Sequence, residues 1–387
     1  MKKVICAILG IAMIFSINTT VFAASMSTED SQLSTKMANA VESDITSLSE
    51  TGSANLSEKI ALQDMNGTLY AYFVPIVESS LNTVSGYSVV STIGEPKTLT
   101  TAIGNSAASF ASAIIRESAS ADEMIYEFPN AFIKKSSGNY YKICIDGTLN
   151  QISNPAEYES NTAEFLATEP SQTAATRATI TYGQLDNWDS GDFLPITESN
   201  GSYYYGGYQG WLTSEGVSQF FADRSCGVTA AANMLCYMAD NVSGMGDLYT
   251  QSGISKSQFN AFQRDVYDYL SPAIWGVPTL DAMIDGVEDY AADQGVDLTA
   301  TRSSASWTET NVRSYIAGGL NKESPVLLLT WNSPIADLSM HWVTITRIYD
   351  GGSGVKLVTS NWAEKQTYDF STWVNGSSLY KGVIYFE

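Results

Sequence analysis

Short stretches of apolar residues, some of them alternating with polar residues, recur in the last third of the chain. They are separated by Gly, Asn and Ser, and stretches of this kind are typical of β-strands. The pattern predicts strands over Pro325–Trp331, His341–Tyr349, Val355–Ser360 and Tyr380–Phe386. Because only turns and short loops separate them, we expect these strands to form a mostly antiparallel sheet.

Apolar residues at helical spacing precede those strands. The spacing predicts helices over Cys226–Ala239, Lys256–Leu270, Thr279–Gln294 and Thr308–Gly318. A group of helices followed by a mostly antiparallel sheet indicates an α+β fold, in which a cleft can form where the two halves meet.

The first part of the chain carries no cluster of residues suited to catalysis. Sparse apolar residues at helical spacing occupy Thr28–Leu48. Further along, the pattern predicts two strands, a helix and a hairpin that turns at Asp-Gly, over Leu69–Ile76, Gly86–Val90, Ala107–Ala121 and Tyr140–Leu149. These elements predict a small α+β domain over residues 25–161.

A stretch rich in small and polar residues follows this domain. Residues 162–180 show no periodicity and include Glu169–Arg177, which predicts an exposed linker and a plausible cleavage point at or near Arg177. The linker separates the N-terminal domain from a second domain over residues 181–387.

The N-terminus resembles a secretory signal peptide. Two lysines precede the apolar stretch Val4–Phe15, and the small residues before position 25 suit signal peptidase. A membrane anchor is the competing interpretation, but a spanning helix needs roughly 20 apolar residues. We therefore predict that residues 1–24 are removed, that the protein is secreted, and that it does not insert stably into a membrane.

Composition narrows the possible partners and cofactors. The formal net charge of -21 disfavours nucleic acid as a partner, because polyanions repel each other over long distances. One histidine and scattered cysteines do not form a zinc site, and no glycine-rich loop fits a phosphate group, so no cofactor is predicted. Without Cys6, three cysteines remain, and an odd number leaves at least one free thiol.

Three residues in chain order suit nucleophilic catalysis by a thiol. Cys226 opens a predicted helix, where backbone amides favour the thiolate. His341 is the chain's only histidine and so the one imidazole that can act as a base near neutral pH. Asn361, on the next strand, could hold that imidazole in one tautomer, with the adjacent Trp362 shielding the hydrogen bond from water.

Each of these residues also has a structural explanation. Cys226 could be a buried cysteine like Cys236 on the same helix, His341 an inert strand residue, and Asn361 a turn residue. An oxyanion would need two donors, and the Cys226 backbone amide is one of them. Gln219 is the nearest candidate for the second, and Gln209 and Gln184 are its rivals; all three glutamines stand upstream of the cysteine.

These residues resemble the papain-like cysteine peptidases, and among them the bacterial C39-like family. The segment Val217–Leu235 looks like that family's glutamine, cysteine-glycine and helix segment, His341–Ile345 looks like its histidine strand, and Asn361-Trp362 is similar to the Asn and Trp of papain-like enzymes. The chain departs from the pattern at Val228, where the family usually has proline, and at Asn361, where many members have aspartate.

The resemblance implies a papain-like fold over residues 181–387, with a helical half that carries Cys226 and a β half that carries His341 and Asn361. It also implies that Gln219 helps to hold the oxyanion, and that the N-terminal domain is a propeptide, as in streptopain-type enzymes. The hypothesis is a secreted cysteine endopeptidase that acts on peptides or proteins and is inhibited by its own N-terminal domain until the linker is cut.

Two alternatives to a peptidase remain open from the sequence. A Cys-His site can also perform amidase, thioesterase or acyl-transfer chemistry. The second alternative is a non-catalytic surface or binding module with a papain-like fold, in which the Cys226 thiol would titrate near the ordinary value of about 8.5.

Overall fold

The structure, a computed structural model, describes most of the residues from position 28 onward. It covers residues 28–48, 50–78, 83–127, 131–144, 147–155, 179–189, 191, 193–199, 203–251, 253–331, 338, 340–352 and 354–387. The predicted signal peptide lies outside the described residues, and so do residues 162–178 of the predicted linker, which include Arg177.

The N-terminal segment, residues 28–155, contains two helices and nine strands among its described residues. In chain order these are α1 (Thr28–Ser47), β1 (Ser53–Ala54), β2 (Ile60–Gln63), β3 (Leu69–Glu78), β4 (Thr83–Ser91), β5 (Lys97–Ile103), α2 (Asn105–Ser118), β6 (Glu123–Glu127), β7 (Ala131–Ser136), β8 (Asn139–Ile143) and β9 (Leu149–Ile152). The elements predicted for this part are present, with ends shifted by a few residues.

The C-terminal segment, residues 179–387, carries the helices first and most of the strands afterwards. Its elements are β10 (Ile180–Gln184), β11 (Pro195–Thr197), β12 (Tyr203–Tyr205), α3 (Gln219–Ala222), α4 (Cys226–Asn241), α5 (Lys256–Leu270), α6 (Leu280–Asp293), β13 (Ala300–Thr301), α7 (Glu309–Leu320), β14 (Val326–Trp331), β15 (His341–Asp350), β16 (Val355–Asn361), β17 (Glu364–Asp369), α8 (Phe370–Asn375) and β18 (Tyr380–Phe386). The protein is therefore a mixed α+β fold, as predicted.

One large sheet runs through both segments. Its strand order is β13-β18-β14-β15-β16-β17-β5-β4-β3-β2-β6-β7-β8-β9, and its neighbours are antiparallel except for β2 and β6. β10 pairs with β15, so a strand begins at the last residue of the predicted linker. The segments meet where β17 pairs with β5, with Thr367 opposite Thr101.

The apolar core is also shared between the segments. The larger core cluster contains the apolar faces of α4 and α5 and the inner face of the C-terminal strands, and it also includes Met37, Val41 and Ile45 of α1. A second cluster under α2 belongs to the N-terminal segment alone and is built around Phe73 and Phe132. The predicted N-terminal domain thus has its own core, but it also completes that of its neighbour.

The helix that carries Cys226 is almost entirely enclosed. The thirteen residues from Cys226 to Met238 are buried, because this Ala-rich helix packs against the C-terminal sheet and against α5. α5 begins with a capping box formed by Ser255 and Gln258, and Thr279 caps α6. None of the described helices is both long and apolar enough to span a bilayer.

Candidate functional site

Cys226 is the first residue of α4 and lies against the start of β15. Its thiol is buried, with 9% of the residue exposed, and receives backbone hydrogen bonds from Trp342 and Gly227. Gly227 is required here, because a Cβ atom at this position would come within 2.8 Å of the Val277 side chain. The thiol therefore faces the strand that begins with His341.

His341 is buried at the first position of β15. Its Nε2 atom lies 2.7 Å from the Oδ1 atom of Asn361 on the adjacent strand β16. The indole of Trp362 lies beside the imidazole, with ring centroids 5.2 Å apart and planes inclined by 40°. The structure thus places Trp362 where it can shield the His341 to Asn361 hydrogen bond.

The orientation of Asn361 follows from the hydrogen bonds of its amide nitrogen. Nδ2 donates to the Oε1 atom of Gln366 at 3.1 Å and to the Tyr368 hydroxyl at 2.8 Å, and the Tyr368 hydroxyl donates to the same Gln366 oxygen. Since Nδ2 is occupied by two acceptors, Oδ1 points to His341 and accepts from it. The imidazole therefore carries its proton on Nε2, and Nδ1 is its basic nitrogen.

A tight hairpin between β16 and β17 makes this network possible. Trp362 and Ala363 occupy the turn with φ values of 52° and 64°. Two successive residues with positive φ are typical of the two-residue turns that match the twist of antiparallel strands. Asn361 is thereby placed beside Gln366 and Tyr368, which project from the returning strand.

The three predicted catalytic residues line one cavity. Cys226, His341 and Asn361 surround a volume of about 10 Å³, together with Gln209, Ser360 and Trp362 among others. This volume is close to the lower limit for a single water molecule. The structure therefore assembles the thiol, imidazole and amide in one place, around a volume between the described residues that is smaller than a peptide needs.

The structure does not bring Gln219 to this cavity. Gln219 is exposed at the start of α3, and its amide nitrogen donates to the Oδ1 atom of Asp223 at 2.7 Å, one helical turn along. Gln209 lines the cavity instead, and its amide nitrogen donates to the Asp223 backbone oxygen at 2.8 Å. Gln184 lies on β10, opposite Arg347.

Two polar residues hold Gln209 near the thiol. The Oδ1 atom of Asn233, on α4, accepts from the backbone N–H of Gly207 at 2.8 Å, and its amide nitrogen donates to Ser360 at 3.2 Å. The Ser360 hydroxyl in turn donates to the backbone oxygen of Tyr205 at 2.7 Å. The segment before Gln209 is thus fastened both to the helix of Cys226 and to the strand of Asn361.

Sequence reasoning missed four residues that support the site: Asn233, Ser360, Gln366 and Tyr368. Only Asn233 had a signal, because a polar amide in an Ala-rich apolar helix is a buried polar group that needs partners. Ser360 is the last residue of a predicted strand, and Gln366 and Tyr368 lie in a polar stretch for which no element is predicted.

Burial keeps both reactive groups neutral. It raises the pKa of the Cys226 thiol, although the backbone hydrogen bonds to the sulfur oppose this rise. It also lowers the pKa of His341 to about 4, although the hydrogen bond to Asn361 favours the charged ring. The described form thus holds a thiol and a neutral imidazole instead of a thiolate-imidazolium pair.

Four exposed apolar side chains lie either just before Cys226 or His341 in the chain or on a segment that Arg224 ties to the one before Cys226. Phe220 and Ile274 are exposed, and Arg224 joins their two segments by donating to the backbone oxygens of both residues, at 2.9 and 2.8 Å. Trp275 and Met340 are exposed as well, and Met340 directly precedes His341. We call these four exposed residues the apolar rim: Phe220, Ile274, Trp275 and Met340.

The described residues contain no group of three or more His, Cys, Asp or Glu side chains arranged to hold a metal ion. The described cysteines Cys144, Cys226 and Cys236 are all free thiols.

Comparison with known proteins does not add to this picture. No family model matches the chain, and no curated protein does so either. The interpretation of the site therefore depends on its residues and their geometry.

Proposed function

We propose that the protein is a secreted cysteine peptidase with a papain-like catalytic segment, described in a closed form. The observation that carries the proposal is the shared cavity, in which the thiol of Cys226 lies with an imidazole whose Nε2 atom is 2.7 Å from Asn361. A nucleophile, a base and a group that orients the base are the minimal parts for acyl transfer through a thiol.

In the proposed reaction, the Nδ1 atom of His341 takes the proton from the Cys226 thiol. The sulfur attacks the peptide carbonyl carbon, a C–S bond forms, and the carbonyl electron pair moves to the oxygen. When the carbonyl re-forms, the C–N bond breaks and the leaving amine takes the proton from Nδ1. Water then loses a proton to Nδ1 and attacks the thioester, and the thiol is released with that proton.

We assign the second oxyanion donor to Gln209 instead of Gln219. Gln209 lines the cavity, whereas Gln219 is exposed and is not among the residues that line it. The backbone amide of Cys226, at the start of α4, supplies the first donor. Oxyanion stabilisation requires donors that are held in place, and the hydrogen bond from the Gln209 amide to the Asp223 backbone oxygen holds that side chain at the cavity.

The closed cavity and the neutral pair of groups support a zymogen. A substrate needs space, and a nucleophilic thiol needs a lower pKa, so activation must open the cavity and hydrate the pair. The described residues of the N-terminal segment do not line the cavity. That this segment inhibits the enzyme stays a prediction. If it does inhibit, the described residues of the segment do not do so by filling the cavity.

The apolar rim favours extended peptides with large apolar side chains as substrates. Phe220 and Met340 precede the starts of α4 and β15, and Arg224 ties the segment of Ile274 to that of Phe220. Exposed apolar groups gain free energy when a partner covers them. We therefore propose that the substrates are unfolded or extended polypeptides and not anionic polymers.

The experiment that tests the proposal compares two cysteine variants of the full chain. Hydrolysis of casein under reducing conditions is measured before and after limited cutting of the linker. Cys226→Ala should abolish hydrolysis, and Cys236→Ala, which changes a buried cysteine on the same helix, should retain it. Both variants should unfold cooperatively near the wild-type temperature.

The result also separates the rival functions. Hydrolysis by Cys226→Ala at the wild-type rate would disprove the proposal. Turnover of small amides or thioesters without cleavage of casein would favour the amidase or acyl-transfer alternative. No turnover of either, with an ordinary thiol pKa after cutting, would favour a binding module.

A further inference from the structure

We propose that strand β17 is a permanent docking edge for the N-terminal segment, which stays bound after the linker is cut. The mature protein would then be a two-chain particle rather than a catalytic domain freed from its propeptide. The inference rests on the proposed function only in assuming that the linker is the place of cutting.

Backbone pairing is the first observation that supports a permanent contact. β5 pairs with β17 in register, with Ala102 opposite Gln366 and Thr100 opposite Tyr368. All six residues of β17 are buried, as in a strand from the middle of a sheet. Loss of β5 would expose a long edge of unpaired N–H and C=O groups, which isolated proteins normally avoid.

Two buried lysines of the C-terminal segment find partners in the N-terminal segment. Lys356 is 1% exposed and donates to the backbone oxygen of Thr98 at 2.7 Å and to its hydroxyl at 3.0 Å. Lys365 is also 1% exposed, donates to the backbone oxygen of Leu48 and forms an ion pair with Glu50 at 2.8 Å. Each lysine also pairs with a carboxylate of its own segment, Asp369 at 3.4 Å and Asp189 at 3.0 Å. Loss of the N-terminal segment would therefore remove part of the partners that a buried cation needs.

The apolar contact has the character of a domain interior. Met37, Val41 and Ile45 on α1 belong to the same buried cluster as the core of the C-terminal segment. The two segments also approach each other closely, since a Cβ atom at Gly104, which follows β5, would lie 1.6 Å from a carboxylate oxygen of Glu364. An apolar, closely fitted contact of this kind is typical of obligate interfaces.

The same strand holds the site together. Gln366 and Tyr368 orient Asn361 from one face of β17, while β5 covers its edge. Loss of the N-terminal segment would free the strand that fixes the tautomer of His341. A retained segment therefore fits the chemistry better than a discarded one.

The test uses the full-length Cys226→Ala chain, which cannot process itself, with the recognition sequence of a site-specific protease inserted between Ser171 and Gln172. After complete cutting, the sample is held at nanomolar concentration for a day and examined by size-exclusion chromatography with light scattering. We expect one peak with the mass of the uncut chain and both fragments in it. Separate peaks for the two fragments would overturn the proposal.

A pair of α1 variants identifies the contact that holds the fragments. Val41→Asp places a charge in the shared core, whereas Thr35→Asp places the same charge on the exposed face of the helix. Val41→Asp should lower the urea concentration at which the cut fragments separate, and Thr35→Asp should leave it unchanged. Equal values for both variants and the parent would overturn the assigned surface. Both readouts follow whether the fragments stay together and do not depend on peptide hydrolysis. A failure of the peptidase proposal would therefore not affect them.

Discussion

The amide nitrogen of Asn361 lies 2.8 Å from the Tyr368 hydroxyl, and this contact determines which nitrogen of His341 is basic. With its NH2 group bonded to Tyr368 and Gln366, Asn361 can present only its oxygen to the imidazole. The Nε2 atom of His341 must then carry the proton, and Nδ1 becomes the base.

Tyr368→Phe should therefore lower kcat while leaving KM nearly unchanged. The substitution removes one of two hydrogen bonds that orient Asn361, and a hydrogen bond contributes about 1 kcal/mol net, which corresponds to a roughly fivefold loss of rate. The measurement is steady-state hydrolysis of a peptide by the activated enzyme, together with the pH profile of kcat/KM. A shift in the acidic side of the kcat/KM profile would indicate that the pKa of the His341 imidazole has changed.

The matched control is Thr367→Val on the same strand. The Thr367 hydroxyl is buried and finds no hydrogen-bond partner within the described part of the chain, so its loss should change neither kcat nor the profile. If both variants lost activity to the same extent, the effect would come from the strand and not from the orientation of Asn361.

The helix ends illustrate how far sequence patterns suffice. The sequence predicts a helix over Lys256–Leu270, and α5 has these bounds. Here the local signals agree, because the Ser255 and Gln258 capping box precedes an amphipathic stretch. Local hydrophobic patterns also predicted that Cys226 begins a helix and that His341 lies on a strand.

Strand β17 illustrates where such patterns fail. Its residues, Glu364–Asp369, are polar, and this pattern predicts neither burial nor a central strand. Burial becomes possible only through distant partners, such as the backbone oxygen of Leu48, which accepts from Lys365 of β17 across 317 positions of the chain. Gln209 was likewise only a rival candidate, since its place beside the thiol depends on a hydrogen bond between Gly207 and Asn233.

The stability of the uncut chain should fall with acid as His341 is forced to take up a proton. Burial lowers the pKa of His341 to about 4 from an ordinary value of 6.5, so between these limits the unfolded chain binds a proton that the folded chain does not. The free energy of unfolding therefore rises with pH across this window. The full contribution, roughly 3 kcal/mol, is present above pH 6.5 and lost near pH 4.

Two measurements check this prediction. Because His341 is the only histidine, NMR of the chain with labelled histidine gives one imidazole titration, which should have its midpoint near pH 4. Urea unfolding of wild type and His341→Gln at a series of pH values should show a difference that shrinks in acid. A midpoint near 6.5 would contradict the closed, neutral pair.

Gln209→Ala should reduce kcat by roughly a hundredfold, the usual cost of losing one oxyanion donor. Gln219→Ala should change kcat by less than about twofold, because this side chain is exposed and bonded to Asp223. The two alanine variants are matched controls for each other, and kcat of the activated enzyme is the readout. A large loss in Gln219→Ala alone would return the donor role to Gln219.

Asn233→Ala should destabilise the fold as well as the site. Asn233 is buried, accepts from the Gly207 N–H and donates to Ser360, so its removal leaves a buried backbone donor without its acceptor. Such a loss costs about 1–3 kcal/mol in free energy of unfolding. The control is Asn241→Ala, at the end of the same helix, where water can replace the lost bonds and the cost should stay below about 1 kcal/mol. Urea unfolding of both variants measures the two costs, and equal values would mean that Asn233 does not fasten the segment before Gln209 to α4.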